Sequence, residues 1–400
     1  MKRLLAALIL LTGSAATAWA QPSANATIGG TFSSFRGGQT TQDSRQDVTA
    51  AAGVEQAFDQ ERGRVYYDFD GGTYASSGDW SYYLHTAGFT YRIGGAEDTD
   101  RRLYFNGAVV VRRNGSAWAA ADYTAVGAGV NAEFHPLAAL TVRTGYRADR
   151  RSFNDASALT HTQHDGFLSV LANLPTRTTL IGEIHGGAKA YGGQTVVTST
   201  IADVSGVTVG QMQGRGMGPG LRGSTLTQSQ LVTQDGAAGL VSGLFRIAQS
   251  VSDRTGVFAQ ATGRTTFGNV APGLITTPAG FFDDGVYDDP FASDAITAQA
   301  GVTHQFANGT QLQGSASWAD RRYTSTAAVD ATWIELPGSP LRRDQLWRAS
   351  ATWSQPVLAS RTGAAALTLD LGYRLVRSRS NDAFYSYTSH GVGVGLSLAY

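Results

Sequence analysis

The sequence predicts an all-β chain, a transmembrane antiparallel β-barrel of about sixteen strands, with one domain over residues 21–400. Three observations predict it. Apolar and polar residues alternate with period two in run after run, connections alternate between short and long, and the composition is rich in glycine and aromatics without being strongly apolar. The 400 residues include 49 Gly, 16 Tyr, 17 Phe and 7 Trp, yet only 42% are hydrophobic. A mean hydropathy of −0.15 fits walls that face lipid on one side and water on the other.

The start of the chain is expected to lie outside the barrel. Lys2 and Arg3 are basic, Leu4 to Leu11 is an apolar run too short to span a bilayer, and Ala18-Trp19-Ala20 has the small-x-small form of a cleavage site. Residues 1–20 therefore form an expected cleaved export signal, with Gln21 the first mature residue. No later stretch is long and apolar enough for a transmembrane helix, so a membrane role requires strands. The absence of cysteine rules out a lipoprotein anchor, disulfides and Cys-ligated metals. It also suits folding in an oxidising periplasm. The formal net charge is +0, and arginine dominates the cations, with lysine only at Lys2 and Lys189. No basic stripe is available for nucleic acid, which is excluded as a partner.

The strands follow in order. Ala26, Ile28, Gly30 and Phe32 start the first, almost at the cleavage site. Val65, Tyr67 and Phe69 alternate with Arg64, Asp68 and Asp70; Leu103, Phe105, Val109 and Val111 alternate with Asn106 and Arg112. Leu140, Val142 and Tyr146 point away from Arg143 and Arg147, and Leu180 and Ile184 flank Glu183 and His185. Leu367 to Leu375 alternates with Asp370 and Arg374. The last run, Val392, Val394, Leu396, Leu398 and Tyr400 against Gly393, Gly395, Ser397 and Ala399, is the strongest. Its terminal aromatic resembles the C-terminal signal that insertion machinery reads in outer-membrane barrels. A charge at every second position is costly against lipid and ordinary against water, so the interior should be wet.

Short connections fall near Asp59–Gly63, Gly94–Asp100, Pro136–Ala138, Pro175–Arg177, Ser250–Asp253, Ala307–Gly309 and Pro356–Gly363, with longer Gly-, Ser-, Asp- and Pro-rich ones between. About seven short and eight long connections give about sixteen strands, and both termini fall on the short-turn side, expected to be periplasmic. Trp80, Tyr82, Tyr83, Phe384, Tyr385 and Tyr387 near one set of strand ends, and Phe134 and Phe306 near the other, suggest two aromatic girdles. An echo between Arg147-Ala148-Asp149-Arg150-Arg151 and Ala319-Asp320-Arg321-Arg322 suggests the shared chemistry of one rim.

Candidate pore-lining residues are Arg64, Arg112, Arg143, Arg147, Glu183, Arg264, Arg348, Asp370 and Arg374, with Arg92 and Arg246 beside them and Glu55, Asp68, Asp70 and Glu133 as acidic counterparts. Two readings stay open: opposed ladders that set a transverse field, or ion pairs that brace the wall. Arg150, Arg151, Arg321, Arg322, Arg342, Arg343, Arg377 and Arg379 fall near the outer mouth, available to anionic solutes or lipopolysaccharide phosphates, or paired with Asp149, Asp320, Asp344 and Asp382. The acidic loop Phe281–Pro290 lacks the spacing of a Ca²⁺ motif. The Gly-rich segment Gly206–Gly223, within the longest connection, Gly192 to about Gln230, lacks the Lys-Ser/Thr of a nucleotide loop. Among the histidines only His161 and His164, beside Thr160 and Asp165, form an arrangement that catalysis could use. No catalytic activity, cofactor or metal is expected.

Arg377-Ser378-Arg379-Ser380-Asn381-Asp382-Ala383-Phe384-Tyr385-Ser386-Tyr387 and the final strand resemble the closing hairpin of β-barrel porins of bacterial outer membranes. The resemblance implies the barrel fold and an outer-membrane location. About sixteen strands make a barrel wide enough for an aqueous passage, so the expected function is a water-filled channel for passive diffusion of small hydrophilic solutes. The alternatives are a conduit of a surface-polysaccharide export system and a surface-exposed structural or adhesion barrel. The expected partners are outer-membrane lipids, lipopolysaccharide and the barrel-assembly machinery, with a homo-oligomer or export-system partners both open.

Overall fold

A computed structural model of the chain describes residues 23–37, 43–74, 77–94, 101–116, 119, 122–154, 160–192, 237–268, 289–331, 334–359 and 365–400. The strands are β1 (Ser23–Gly37), β2 (Asp43–Phe58), β3 (Gly63–Tyr74), β4 (Ser77–Ile93), β5 (Arg101–Asn114), β6 (Tyr123–Leu137), β7 (Leu140–Phe153) and β8 (His161–Leu174). They continue as β9 (Thr178–Tyr191), β10 (Ala237–Ser252), β11 (Thr255–Gly268), β12 (Ser293–Gln305), β13 (Gln311–Ala327), β14 (Leu341–Ala359), β15 (Ala366–Ser380) and β16 (Tyr387–Ala399). Each pairs antiparallel with its chain neighbours, and β1 pairs with β16, so the sheet closes into a sixteen-strand barrel with no free edge. Closure lets the wall pair its ladder N–H and C=O groups internally, apart from a few register shifts, which a lipid environment demands.

Antiparallel partners share a face, so one register fixes the facing of all sixteen strands. Ile28, Phe32, Val65, Phe89, Phe105, Val126, Leu168, Phe245, Val302, Leu371 and Val392 to Leu398 lie on the outside and stay solvent-exposed in the isolated chain. A soluble protein would bury these side chains; a bilayer covers them instead. Among the described residues the conventional core is correspondingly small, with clusters such as Tyr123, Ala125 and Phe153, and Ala238, Phe291, Ala292 and Tyr323.

The short connections and both ends of the barrel lie together. One turn holds Gly309 at φ 83, a left-handed value at which a side chain is strained, with Gly309 N donating to Phe306 O at 3.1 Å. Another places Asp59, Gln60 and Glu61 at positive φ and anchors Asp59 through the Tyr91 hydroxyl at 2.7 Å. Tyr400 exchanges both backbone hydrogen bonds with Ala24, each 2.9 Å, extending the β1–β16 seam by one pair.

At the opposite end the chain folds back over the inner wall. The segment after β13 forms a bridge between Val329 and Glu335, and Ala383 N donates to Val329 O at 3.1 Å. Lumen-facing Leu346, Val376 and Ser378 are buried beneath these connections. The 3-10 turn Pro290–Ala292 inserts Phe291 against Ala238 and Tyr323.

Two expectations about aromatics and arginines are corrected by the register. Phe384, Tyr385 and Tyr387 belong to no girdle: Phe384 and Tyr387 are buried, and the Arg342 guanidinium lies 3.1 Å from the Tyr385 ring centroid. Tyr82 faces inward beneath Arg112, 5.0 Å from its ring, while Tyr83, Phe134 and Phe306 are exposed outside. The Trp80 side chain lies outside the described residues. The echoed Asp-Arg-Arg segments are out of phase, since Asp149 and Arg151 face the lumen whereas Asp320 and Arg322 face out.

Candidate functional site: the charged inner wall

All nine candidate pore-lining residues fall on the face opposite the apolar belt, but their surroundings differ. Arg64 donates to Glu55 at 2.9 Å. Arg143 reaches Glu133 at 2.7 Å, and the same carboxylate has Arg102 at 3.5 Å and His135 at 3.4 Å. Arg112 is buried, donating to Asn114 at 2.9 Å. Arg264 is tied to the Ser293 carbonyl and hydroxyl at 2.9 and 2.7 Å. Glu183 pairs with His185, whose ring stacks on Phe167. Asp370 accepts from Ser354 at 2.6 Å and Ser397 at 3.1 Å. Arg348 sits level with Ser317 and Val376. These groups brace the wall.

Arg374 is different. It stands level with Ser350 and Gly391, is exposed, and has no hydrogen-bond or ion-pair partner among the described residues. Glycines at 391, 393 and 395 leave the adjoining β16 wall without side chains, so the charge projects into open space. Arg147 is also available: its side chain keeps 58% exposure and its nearest carboxylate, Asp149, is 3.9 Å away.

Arg147 opens a niche of about 240 Å³ in the β5–β8 wall, lined by Val110, Tyr123, Ala125, Asp149, Arg151, Gln163 and Asp165. Guanidinium and carboxylate groups alternate around it, a lining that holds water and small polar solutes. The sequence signal for its β8 side is the alternation His161, Gln163, Asp165, Phe167 against Thr162, His164, Gly166, Leu168. Likewise the link between Lys189 and Asp289 joins residues far apart in the chain and carries no sequence signal.

Alternation also dissolves the arrangement at His161 and His164. His161 is buried in the lumen between Phe153 and Tyr191, and His164 is hydrogen-bonded to Tyr146 on the outer face. Asp165 faces inward, and the Thr160 hydroxyl accepts from Phe153 N. No nucleophile, base and acid converge there.

At the folded-in mouth, Arg342 is buried beside Asp344 and 4.2 Å from the Tyr323 ring centroid. Asp382 lies between β15 and β16 and accepts from Phe384 N at 3.0 Å and Val329 N at 3.2 Å. Burial pushes its carboxyl up from the ordinary value, while those N–H groups and Arg342 pull it partly back. Residues 281–288, 193–236 and 1–20 lie outside the described residues, and with them most of the acidic loop, the Gly-rich segment and the leader.

No family model matches the chain, and no curated protein matches it. Solved structures similar to it include OccAB1 of Acinetobacter baumannii (10% identity, TM-score 0.49, 97% of this chain and 99% of that one) and OccK3 (OpdO) of Pseudomonas aeruginosa (11%, 0.48, 94% and 96%). Another is a bacterial polysaccharide outer membrane secretin (10%, 0.45, 94% and 97%).

Proposed function

We propose that this barrel is a passive, non-enzymatic channel of a bacterial outer membrane that admits small hydrophilic solutes. The observation that carries the reading is a closed sixteen-strand wall whose inner face presents exposed, weakly compensated charge, above all at Arg374 and Arg147. A barrel of this strand number is wide enough for an aqueous passage. A charge held in a wet lumen walled by low-dielectric lipid selects among ions. Residues 1–20 act as a cleaved leader, the short-turn end faces the periplasm, and the outward row Val392 to Tyr400 serves the assembly machinery. The inward-folded mouth narrows the passage at the other end. Planar-bilayer recording of the refolded barrel tests the proposal: stepwise, ohmic conductance is expected, and a barrel that inserts without conducting overturns it.

A further inference from the structure

The outer faces of β13, β14 and β15 carry a layered pattern that conduction does not use. Trp318, Trp347 and Arg377 share one level, Asp320, Gln345 and Arg379 the next, and Arg322 and Arg343 the one above. Below them Ala316, Ala349 and Leu375 begin the apolar belt. Towards the short-turn end, the same outer faces show no cation among the described residues.

The compensation is uneven. Arg343 grips Asp320 with both arms of its guanidinium, at 2.9 and 3.0 Å, and Arg322 shares that carboxylate at 3.4 Å. Asp294, level with Arg322 on β12, accepts from the Thr266 amide and hydroxyl at 2.7 and 3.2 Å. Arg377 and Arg379 are exposed and have no hydrogen bond or ion pair among the described residues. Trp318 and Trp347, with ring centroids 6.4 Å apart, lie one level below Arg379. Indole rings settle at headgroup depth. Arg377 beside them and Arg379 above them are therefore set at the depth of lipid phosphates, which arginine can grip with two N–H bonds.

We propose that this face binds the phosphorylated headgroup of lipid A, the outer-leaflet anchor of lipopolysaccharide. Three adjacent strands and three levels span roughly 10 by 14 Å from ordinary strand spacings, room for a headgroup with more than one phosphate. The restriction of the cations to the end with long connections favours the outer-leaflet glycolipid over a phospholipid common to both leaflets. This step rests on the orientation proposed above.

The test is a binding titration of the full-length barrel in detergent against bisphosphorylated lipid A, its dephosphorylated form and phosphatidylglycerol. Lipid A should bind about tenfold or more tighter than either comparator, and Arg377→Gln/Arg379→Gln should remove that advantage. Arg377→Lys/Arg379→Lys should keep part of it, and Arg374→Gln, inside the barrel, should keep all of it. Heat-modifiable migration on gels verifies that each variant is folded. Equal affinity for a comparator, or undiminished binding by the Gln pair, overturns the proposal. A barrel that binds lipid A but does not conduct leaves this site standing and removes the channel; the converse removes only the site.

Discussion

Tyr146 and His164 show how single residues adapt to a wall with two solvents. Both face outward, Tyr146 level with Val130 and His164 level with Ala148 and Ala188, where a lone imidazole nitrogen set against lipid has no water to bond, and the Tyr146 hydroxyl supplies the partner. The same cross-strand geometry recurs at Tyr67 and His85 (2.7 Å) and at Tyr373 and His390 (2.8 Å). Tyr146→Phe should therefore destabilise the barrel by about 1–2 kcal/mol, the cost of an orphaned buried acceptor, in urea titrations of bilayer-inserted protein. Leu168→Ala should leave the hydrogen bond in place. Inside, Arg374 and Arg143 differ in what they predict for stability and agree for permeation. Arg143→Gln strips a 2.7 Å partner from buried Glu133 and should cost on the order of 1–2 kcal/mol, whereas exposed Arg374→Gln costs little. Each substitution removes one positive charge from the lumen, so reversal potentials across a salt gradient should shift towards cation preference for both. The shift should fade at 1 M salt, where the screening length is roughly 3 Å. Unchanged reversal potential for Arg374→Gln would show that selectivity is set elsewhere.

Among the elements, the connections at the mouth hold the chemistry that strands cannot. Asp382 joins the segment after β13 to the β15–β16 turn through the Val329 and Phe384 amides. Its folded pKa is raised above 3.8, so the folded state binds the proton more tightly than the unfolded chain does. The turn is accordingly most stable at and below the unfolded pKa, and loses that contribution as pH rises from 3.8 through the folded value. The protection of the Ala383 amide, which donates to Val329 O across the same junction, measured relative to its intrinsic exchange rate, should rise on acidification from neutral pH, and Asp382→Asn should flatten that dependence; a pH-independent protection in the parent protein would refute it. This turn also marks where sequence reading stops. Period-two alternation made the facing of Arg64, Arg143, Asp370 and the Val392–Tyr400 row legible, because a strand leaves a side chain two choices. Adjacent rim arginines such as Arg342 and Arg343 must then split between faces, one buried by Tyr323 and Tyr385 and the other outside on Asp320. Phe384 and Tyr385 lie in a turn without period, and their burial depends on contacts made far away along the chain.

For the molecule as a whole, closure and an even strand number put both ends of the barrel and seven of the connections, from β2–β3 to β14–β15, at one rim. The other rim has the longest connections but also the two-residue link between β3 and β4, where the sequence predicts a longer one, and these facts alone leave the direction across the membrane open. Two asymmetries fix the expectation. The longer connections and the outward arginines of β13–β15 share the other rim, where surface loops and an anionic outer leaflet would both be met. The chain has no cysteine, so single introduced thiols report position without background. Ser339, exposed in the connection between β13 and β14, and Ala307, exposed in the turn between β12 and β13, sample the two rims. The probe must be larger than the lumen, since a small maleimide would pass through the channel and label both. With a bulky thiol reagent on intact cells, Ser339→Cys should react at once. Ala307→Cys should react only after the outer membrane is opened. The reverse pattern would turn the barrel over, placing the arginine face against the inner leaflet and removing the ground for lipid A while leaving conduction untouched. Labelling at both sites in intact cells would mean that the lumen passes the probe itself.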